Sequence, residues 1–285
     1  MSKLEKALER AKQQREGAKG SAAEKKQQQF DRSQKTAAPL DKHRIVEPVY
    51  TETKVIPSDT ESLKQYNVLT PEFHPAIVEQ YNLLRVRLET MLTQMKYNSI
   101  LVTSPGPDEG KTLTAVNLAI SISRETSRTV LLIDGDMRRP TVTNYLGLPE
   151  SPGLYEHLTQ NVPLKELLIN PGWPRFTLLP AGKPQEEYPA DILGSPAMQE
   201  LIWDVKNRYP ERFIIFDSPP LMLYSDALYL ARYVDSVLMV ARSGKTKESA
   251  LKEAIEMVKD RPFLGTVLNR VPPEQSKAYE YGKYY

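Results

Sequence analysis

Gly110-Lys111-Thr112 lies between an apolar stretch, Ile100-Leu101-Val102-Thr103, and a helix-like run from Leu113 to Ser123. A strand, a turn and a helix start in that order aim backbone N–H groups and the positive end of a helix dipole at one point. A lysine and a hydroxyl placed there suit a terminal phosphate and its Mg²⁺. The intervening loop is Ser104-Pro105-Gly106-Pro107-Asp108-Glu109. The pattern G-x-x-x-x-G-K-[ST] asks for glycine at 105; Pro105 stands there and Gly106 comes one place late. A second apolar stretch, Val130-Leu131-Leu132-Ile133, closes on Asp134-Gly135-Asp136-Met137-Arg138. It brings two carboxylates to the edge where a nucleotide would sit. Many phosphate loops need only one acidic strand for magnesium, so a further pair points to something that is deprotonated or sensed. A third stretch, Phe213-Ile214-Ile215-Phe216-Asp217, fits the strand whose aspartate holds Mg²⁺, usually through water. Ser218-Pro219-Pro220 ends it cleanly.

These residues need a scaffold that delivers several strand ends to one edge. Strands are predicted near 99–103, 129–134, 175–180, 213–217, 235–241 and 264–268. Helices are predicted near 75–96, 111–123, 196–208, 225–231 and 246–259, the first opened by Pro75 and carrying Ile77, Tyr81, Leu84, Leu88, Met91 and Leu92 at helical spacing. Continuous apolar strands alternating with helices imply an α/β fold, a doubly wound, mostly parallel sheet with helices on both faces.

Before this comes different sequence. Residues 1 to about 16 read as a short helix with a narrow apolar face, Leu4, Ala7, Leu8 and Ala11. Polar sequence follows to about Pro71, a linker expected to be largely disordered, with a brief edge strand possible in pattern at Ile45–Tyr50. Three segments result: 1–70, a short helix and polar linker; 71–272, the phosphate-loop domain; and 273–285, a polar tail with Tyr279, Tyr281, Tyr284 and Tyr285. Four tyrosines on a Gly-containing terminus cannot all be core.

The chain of 285 residues carries a net charge of +2 and no cysteine. A disulfide scaffold and a cysteine metal site are excluded. Residues 1–48 hold twelve Lys/Arg and seven Asp/Glu, which leaves the remainder at −3. The basic leader mixes signs and lacks interleaved aromatics, so it reads as a solvated linker and no nucleic-acid partner is expected. No run of eighteen apolar residues and no signal-peptide region is present, so a cytoplasmic location is expected.

Taken together, the phosphate loop, Asp134-Gly135-Asp136-Met137-Arg138, Asp217-Ser218-Pro219-Pro220 and the tyrosine tail resemble the bacterial tyrosine kinases. That family lies within the phosphate-loop group that includes the MinD and ParA ATPases. Leu179-Pro180-Ala181-Gly182, Asp191-Ile192-Leu193-Gly194-Ser195, Ala241-Arg242-Ser243-Gly244-Lys245-Thr246 and Leu268-Asn269-Arg270 are also similar to the family, and the likeness covers about residues 75 to 285. The opening Met1–Leu8 resembles members that stand as separate cytoplasmic chains in exopolysaccharide clusters.

The resemblance implies ATP and Mg²⁺ as cofactors and autophosphorylation of tyrosine. ATP would be held by Gly106, Pro107, Asp108, Glu109, Gly110, Lys111, Thr112 and Leu113, with Asn269 reading the base. Lys111 would neutralise β- and γ-phosphate charge, and Thr112, Asp136 and Asp217 would hold Mg²⁺. Asp134 would take the proton of an incoming tyrosine, whose hydroxyl, with a pKa near 10, is a poor nucleophile at neutral pH. Arg138 would hold Asp134 or a phosphate. Tyr279, Tyr281, Tyr284 and Tyr285 would be the acceptors, on a neighbouring subunit.

The family's early helix often carries Glu-x-x-Arg-x-x-Arg, which joins subunits into a ring. Here Glu79 and Arg85 match that interface, and Asn82 replaces the first arginine. The resemblance further implies a transient ring-like homo-oligomer. Its implied partners are a membrane chain-length adaptor (a polysaccharide co-polymerase) that recruits the chain to the inner membrane face, and an opposing protein-tyrosine phosphatase. The alternative is a MinD- or ParA-like switch ATPase without kinase activity. Such proteins carry an early lysine in the loop, where Gly106 stands here.

Overall fold

The computed structural model describes residues 53–272 apart from 71, 186 and 210. The helix expected over 1–16, the linker to residue 52 with its Ile45–Tyr50 strand, and the tail 273–285 with its four acceptor tyrosines lie outside the described residues.

The strands are β1 (Lys54–Val55), β2 (Ser99–Thr103), β3 (Thr129–Asp134), β4 (Ile169–Asn170), β5 (Phe176–Leu179), β6 (Arg212–Asp217), β7 (Ser236–Arg242) and β8 (Phe263–Asn269). The helices are α1 (Thr60–Gln65), α2 (Pro75–Met95), α3 (Lys111–Ser123), α4 (Val142–Tyr145), α5 (Leu154–Gln160) and α6 (Leu164–Leu167). They continue with α7 (Pro189–Leu193), α8 (Pro196–Asn207), α9 (Asp226–Tyr233) and α10 (Glu248–Met257).

Among the described residues the strands form one sheet in the order β1-β4-β5-β3-β6-β2-β7-β8. Its neighbours pair parallel except β4 with β5. The central strands are apolar throughout because both faces are covered. Ile100, Val102, Val130, Leu132, Phe213 and Ile215 pack one way, against Leu88 and Leu92 of α2 and Val116 and Ile120 of α3. Leu101, Leu131, Ile133, Ile214 and Phe216 pack the other way, against Leu201 of α8, Leu230 of α9 and Ala254 of α10. After the phosphate loop the chain moves to one side of β2, and after β6 to the other. The carboxyl ends of β3, β6 and β2 therefore gather at the reversal, where open α/β sheets bind ligands.

The linker expectation over 1–70 extends too far. β1 pairs with β4 through Lys54↔Ile169 and Val55↔Asn170. Val68 and Leu69 are fully buried, each contributing about 2 kcal/mol by removal from water. The Leu69 N–H donates to Asn117 Oδ1 on α3 at 2.8 Å. Residues 54–69 are thus part of the domain's wall. No described helix is long and apolar enough to cross a membrane.

Candidate active site

β2 delivers the phosphate loop and α3 starts at its end. Gly110 takes φ +93° to make that turn, and a Cβ there would stand 1.9 Å from Asn269 Nδ2. Only glycine fits both the angle and the space. Asn269, at the end of β8, donates to the Glu109 carbonyl at 3.0 Å. Expected to read the base, it is packed against the loop itself. Glu109 is also turned inward. Its carboxylate accepts from Thr246 Oγ1 at 2.6 Å and from the Gly106 N–H at 3.4 Å. The loop is stapled to the segment after β7, and Pro107 and Asp108 are left exposed on its crest. Leu113 packs below, onto the apolar cluster of α2 and α3.

At the helix start, Lys111 Nζ lies 3.6 Å from Asp136 Oδ2. Burial works against the Lys111 charge, but Asp217, Asp136 and Asp134 outweigh it and raise its pKa, so the ammonium persists. Thr112 Oγ1 donates to Asp217 Oδ2 at 2.6 Å. Asp217 Oδ1 is buried and, among the described residues, has no hydrogen-bond partner. An orphaned carboxylate oxygen beside a threonine hydroxyl fits a hard cation that takes its other ligands from phosphate and water. Burial, with Asp136 adding to it and Lys111 and Thr112 opposing, moves the Asp217 pKa up to about 6. Among the described residues no cluster of three or more His, Asp or Glu offers a protein-only metal cage.

Asp134 and Asp136 occupy different environments. Asp134 stands opposite Asp217 in the β3–β6 register and is fully buried. Its Oδ1 accepts from the Asp136 N–H at 3.1 Å, and its Oδ2 from the Thr141 and Val142 N–H groups, each at 3.2 Å. Three of four lone-pair sites are filled, leaving one on Oδ1. Burial, then Asp217 and Asp136, push its pKa well above the ordinary carboxylate range. Asp136 accepts from the Arg139 N–H at 3.1 Å through Oδ1 and reaches Lys111 through Oδ2.

Arg138 departs from expectation. Its guanidinium forms a bidentate pair with Asp226, at 2.6 and 3.2 Å, rather than with Asp134. It also lies over the Tyr224 ring, 4.6 Å from the centroid. Asp226 is 1% exposed and opens α9. The cation is committed there because a buried carboxylate demands it. Nothing in the linear sequence marks Asp226 or Thr246 for these contacts, since their partners lie 88 and 137 residues away.

Of the expected interface residues, Glu79 is exposed and accepts from Asn82 Nδ2 at 3.3 Å. Arg85 is paired inside the chain with Glu89 and Glu125, at 3.2 and 3.3 Å. Its partner Glu125 follows the C-terminal end of α3, the end opposite Lys111, so Arg85 takes no part in the site of the gathered carboxylates.

A phosphate loop at a helix start, a threonine–aspartate pair for a cation and a second acidic strand define an ATP-binding phosphate-loop domain. The chain accordingly matches the AAA domain family over residues 106–263. Within that class it belongs to the bacterial tyrosine-protein kinases. It is 34% identical over 209 residues to the tyrosine-protein kinase YwqD of Bacillus subtilis, covering 72% of this chain and 85% of the relative. It is 30% identical over 210 residues to the tyrosine-protein kinase CpsD of Streptococcus agalactiae, covering 72% and 89%. The crystal structure of the chimerical protein CapA2B2 superposes with a TM-score of 0.66 at 26% identity, over 80% of this chain and 96% of that one. The chain is a tyrosine-protein kinase.

Proposed function

We propose that the chain moves the γ-phosphoryl group of ATP to tyrosines 279, 281, 284 and 285 of a second copy, and so regulates production or export of a surface polysaccharide. The observation that carries this reading is the second acidic strand. Asp134 is held across the sheet from Asp217, with a raised proton affinity and one open lone-pair site. A tyrosine hydroxyl, with a pKa of about 10, becomes a competent nucleophile only when such a group takes its proton.

Magnesium, when bound, neutralises phosphate charge and orients the phosphoryl group for displacement. Thr112 Oγ1 and Asp217 Oδ1 would hold it, with Asp136 at the margin. Lys111 offsets charge on the transferring phosphoryl oxygens, fixed by Asp136 so that little reorganisation is needed. The tyrosine oxygen bonds to the γ-phosphorus as the bond to the β–γ bridging oxygen breaks. The tyrosine proton passes to Asp134, and ADP leaves. Asn269 and Glu109 hold the loop against β8 and the segment after β7 while this happens.

The polysaccharide assignment rests on the family resemblance. So do a membrane adaptor that recruits the chain to the inner membrane face, an opposing phosphatase, and a transient ring using Glu79. Incubation of the purified full chain with Mg-ATP, followed by mass spectrometry, tests the reaction. Phosphate on the tail tyrosines is expected. ATP hydrolysis without any phosphotyrosine would return the chain to the switch-ATPase reading.

A further inference from the structure

A cleft of about 390 Å³ lies between the segment that follows the acidic pair and the turn after β5, which flanks β3 on the side opposite β6 and β2. Its walls include Pro140, Thr143 and Asn144 on one side and Pro180, Lys183 and Pro184 on the other. Nothing in the chemistry derived above uses it.

Two links tie the cleft to the reacting edge. Leu179 pairs with Ile133 in register, so Pro180 stands one strand spacing, about 4.8 Å, from the position of Asp134. The Thr141 and Val142 N–H groups that hold Asp134 Oδ2 are flanked by Pro140 and Thr143, which line the cleft. One backbone segment therefore anchors the carboxylate and forms the wall.

The cleft is pre-formed. The Leu154 and Tyr155 N–H groups donate to the Pro180 and Ala181 carbonyls at 2.8 and 2.9 Å. The Glu156 carboxylate accepts from the Gly153 and Lys183 N–H groups at 2.7 and 3.1 Å. The Gln185 N–H donates to the Met137 carbonyl at 2.8 Å, tying the far wall to the acidic loop. A Cβ at Gly153 would meet the Pro180 oxygen at 2.0 Å, so this wall tolerates no larger residue there.

We infer that this cleft is the acceptor subsite, taking the ring of the tyrosine next to the phosphoacceptor from segment 277–285 of a second copy. The inference rests on the tail-phosphorylation reading above. Proline walls offer flat aliphatic faces and no N–H donors, a surface that suits an aromatic ring. Asn144 at the rim can meet its hydroxyl. In an extended chain, residues i and i+2 project to one side about 6.8 Å apart. Tyr279 and Tyr281 have that spacing, so one ring enters the cleft while the other hydroxyl faces Asp134. Lys277 and Lys283 flank them, and Glu150 lies exposed on the cleft's lining.

A second copy is favoured over the chain's own tail by the strand order. The chain leaves β8 at the same edge, five places from β5, about 24 Å away. Its own tail would have to cross the ends of β7, β2 and β6, where the nucleotide binds. A tail arriving from outside meets the cleft directly.

The test mixes two full-length chains. The acceptor carries Lys111→Ala. The enzyme carries phenylalanine at 279, 281, 284 and 285, with or without Asn144→Trp to fill the cleft. Filling should raise KM for the acceptor at least about tenfold while the ATP Kd stays within about twofold. Tyr279→Ala in the acceptor should raise KM with the parent enzyme but add nothing with the filled one. Lys183→Trp, on the opposite exposed wall, repeats the test should Asn144→Trp fail to fold. Equal responses of both enzymes to Tyr279→Ala would overturn the subsite and leave tail phosphorylation standing. No transfer in the parent mixture, with concentration-independent self-labelling of the intact chain, would overturn the second-copy assignment. No tail phosphate under any condition would overturn both readings.

Discussion

Asp217→Asn should make the nucleotide-free chain gain stability relative to the parent as pH rises, while weakening its response to Mg²⁺ and nucleotide. The Asp217 carboxyl is fully buried with its own Oδ1 unpartnered, and its pKa rises from 3.8 to about 6 on folding. A folded-state pKa above the unfolded value favours the protonated fold. The resulting stability is present in full below the unfolded value of 3.8 and is lost as pH climbs through about 6. The shift corresponds to about 3 kcal/mol across that window. Asparagine does not titrate. It carries a pH-independent cost of about 1–3 kcal/mol for its own unpaired amide. The stability of the variant minus that of the parent should therefore climb by up to about 3 kcal/mol between about pH 4 and pH 7.5. Taking the difference cancels the titration of groups far from position 217. Urea unfolding of both chains across this range, followed by circular dichroism, reads it. Saturating Mg-ADP should then stabilise the parent more than the variant, because binding to the fold alone adds stability by mass action. A stability difference that stays flat with pH, or an equal gain from Mg-ADP in both chains, would refute the assignment of Asp217 as a strained cation ligand.

Three further outcomes are expected. Lys111→Ala should abolish phosphotyrosine while circular dichroism stays native, since the side chain meets Asp136 at the surface of the site rather than filling the core; phosphotyrosine at parental levels would remove the phosphate-loop assignment. Asp134→Asn should cut the single-turnover rate by about 10²- to 10⁴-fold, the usual contribution of acid–base catalysis, with a much smaller change in ATP affinity by calorimetry; equal losses in both would sink its role as base. Arg138→Ala leaves the Asp226 carboxylate, 1% exposed, without its partner and should cost about 3 kcal/mol in urea unfolding, with Arg138→Lys intermediate because it loses the bidentate fork; an unchanged midpoint would show the pair to be dispensable.

The sequence reveals those parts of the molecule that local chemistry dictates. β2, β3 and β6 are legible because strands buried on both faces must be apolar at every position. α3 is legible because a glycine, a lysine and a threonine precede an unbroken apolar run. The helices between 142 and 193 are not, because α4, α5, α6 and α7 have 4, 7, 4 and 5 residues, fewer than two full turns each and too short to show a periodic apolar face. Residues 54–69 read as linker since a two-residue strand and a six-residue helix leave almost no pattern. Their burial is decided by Leu63, Val68 and Leu69 finding α3 and the sheet.

The site divides in the same way. Asp134 and Asp136 look equivalent at the end of one strand. The β3–β6 register separates them, setting Asp134 opposite Asp217 while the following turn carries Asp136 toward Lys111. Arg138 shows the limit of reading charge from a motif. An arginine two places beyond an acidic pair invites assignment to that pair, yet a carboxylate 88 residues away claims it. The deciding quantity is desolvation. Asp134 already has three backbone N–H donors and can stand buried without a cation, whereas Asp226 at 1% exposure draws the guanidinium. The same physics keeps the Asp134 pKa high, because a guanidinium on Asp134 would lower it and remove the reason for a base at that place.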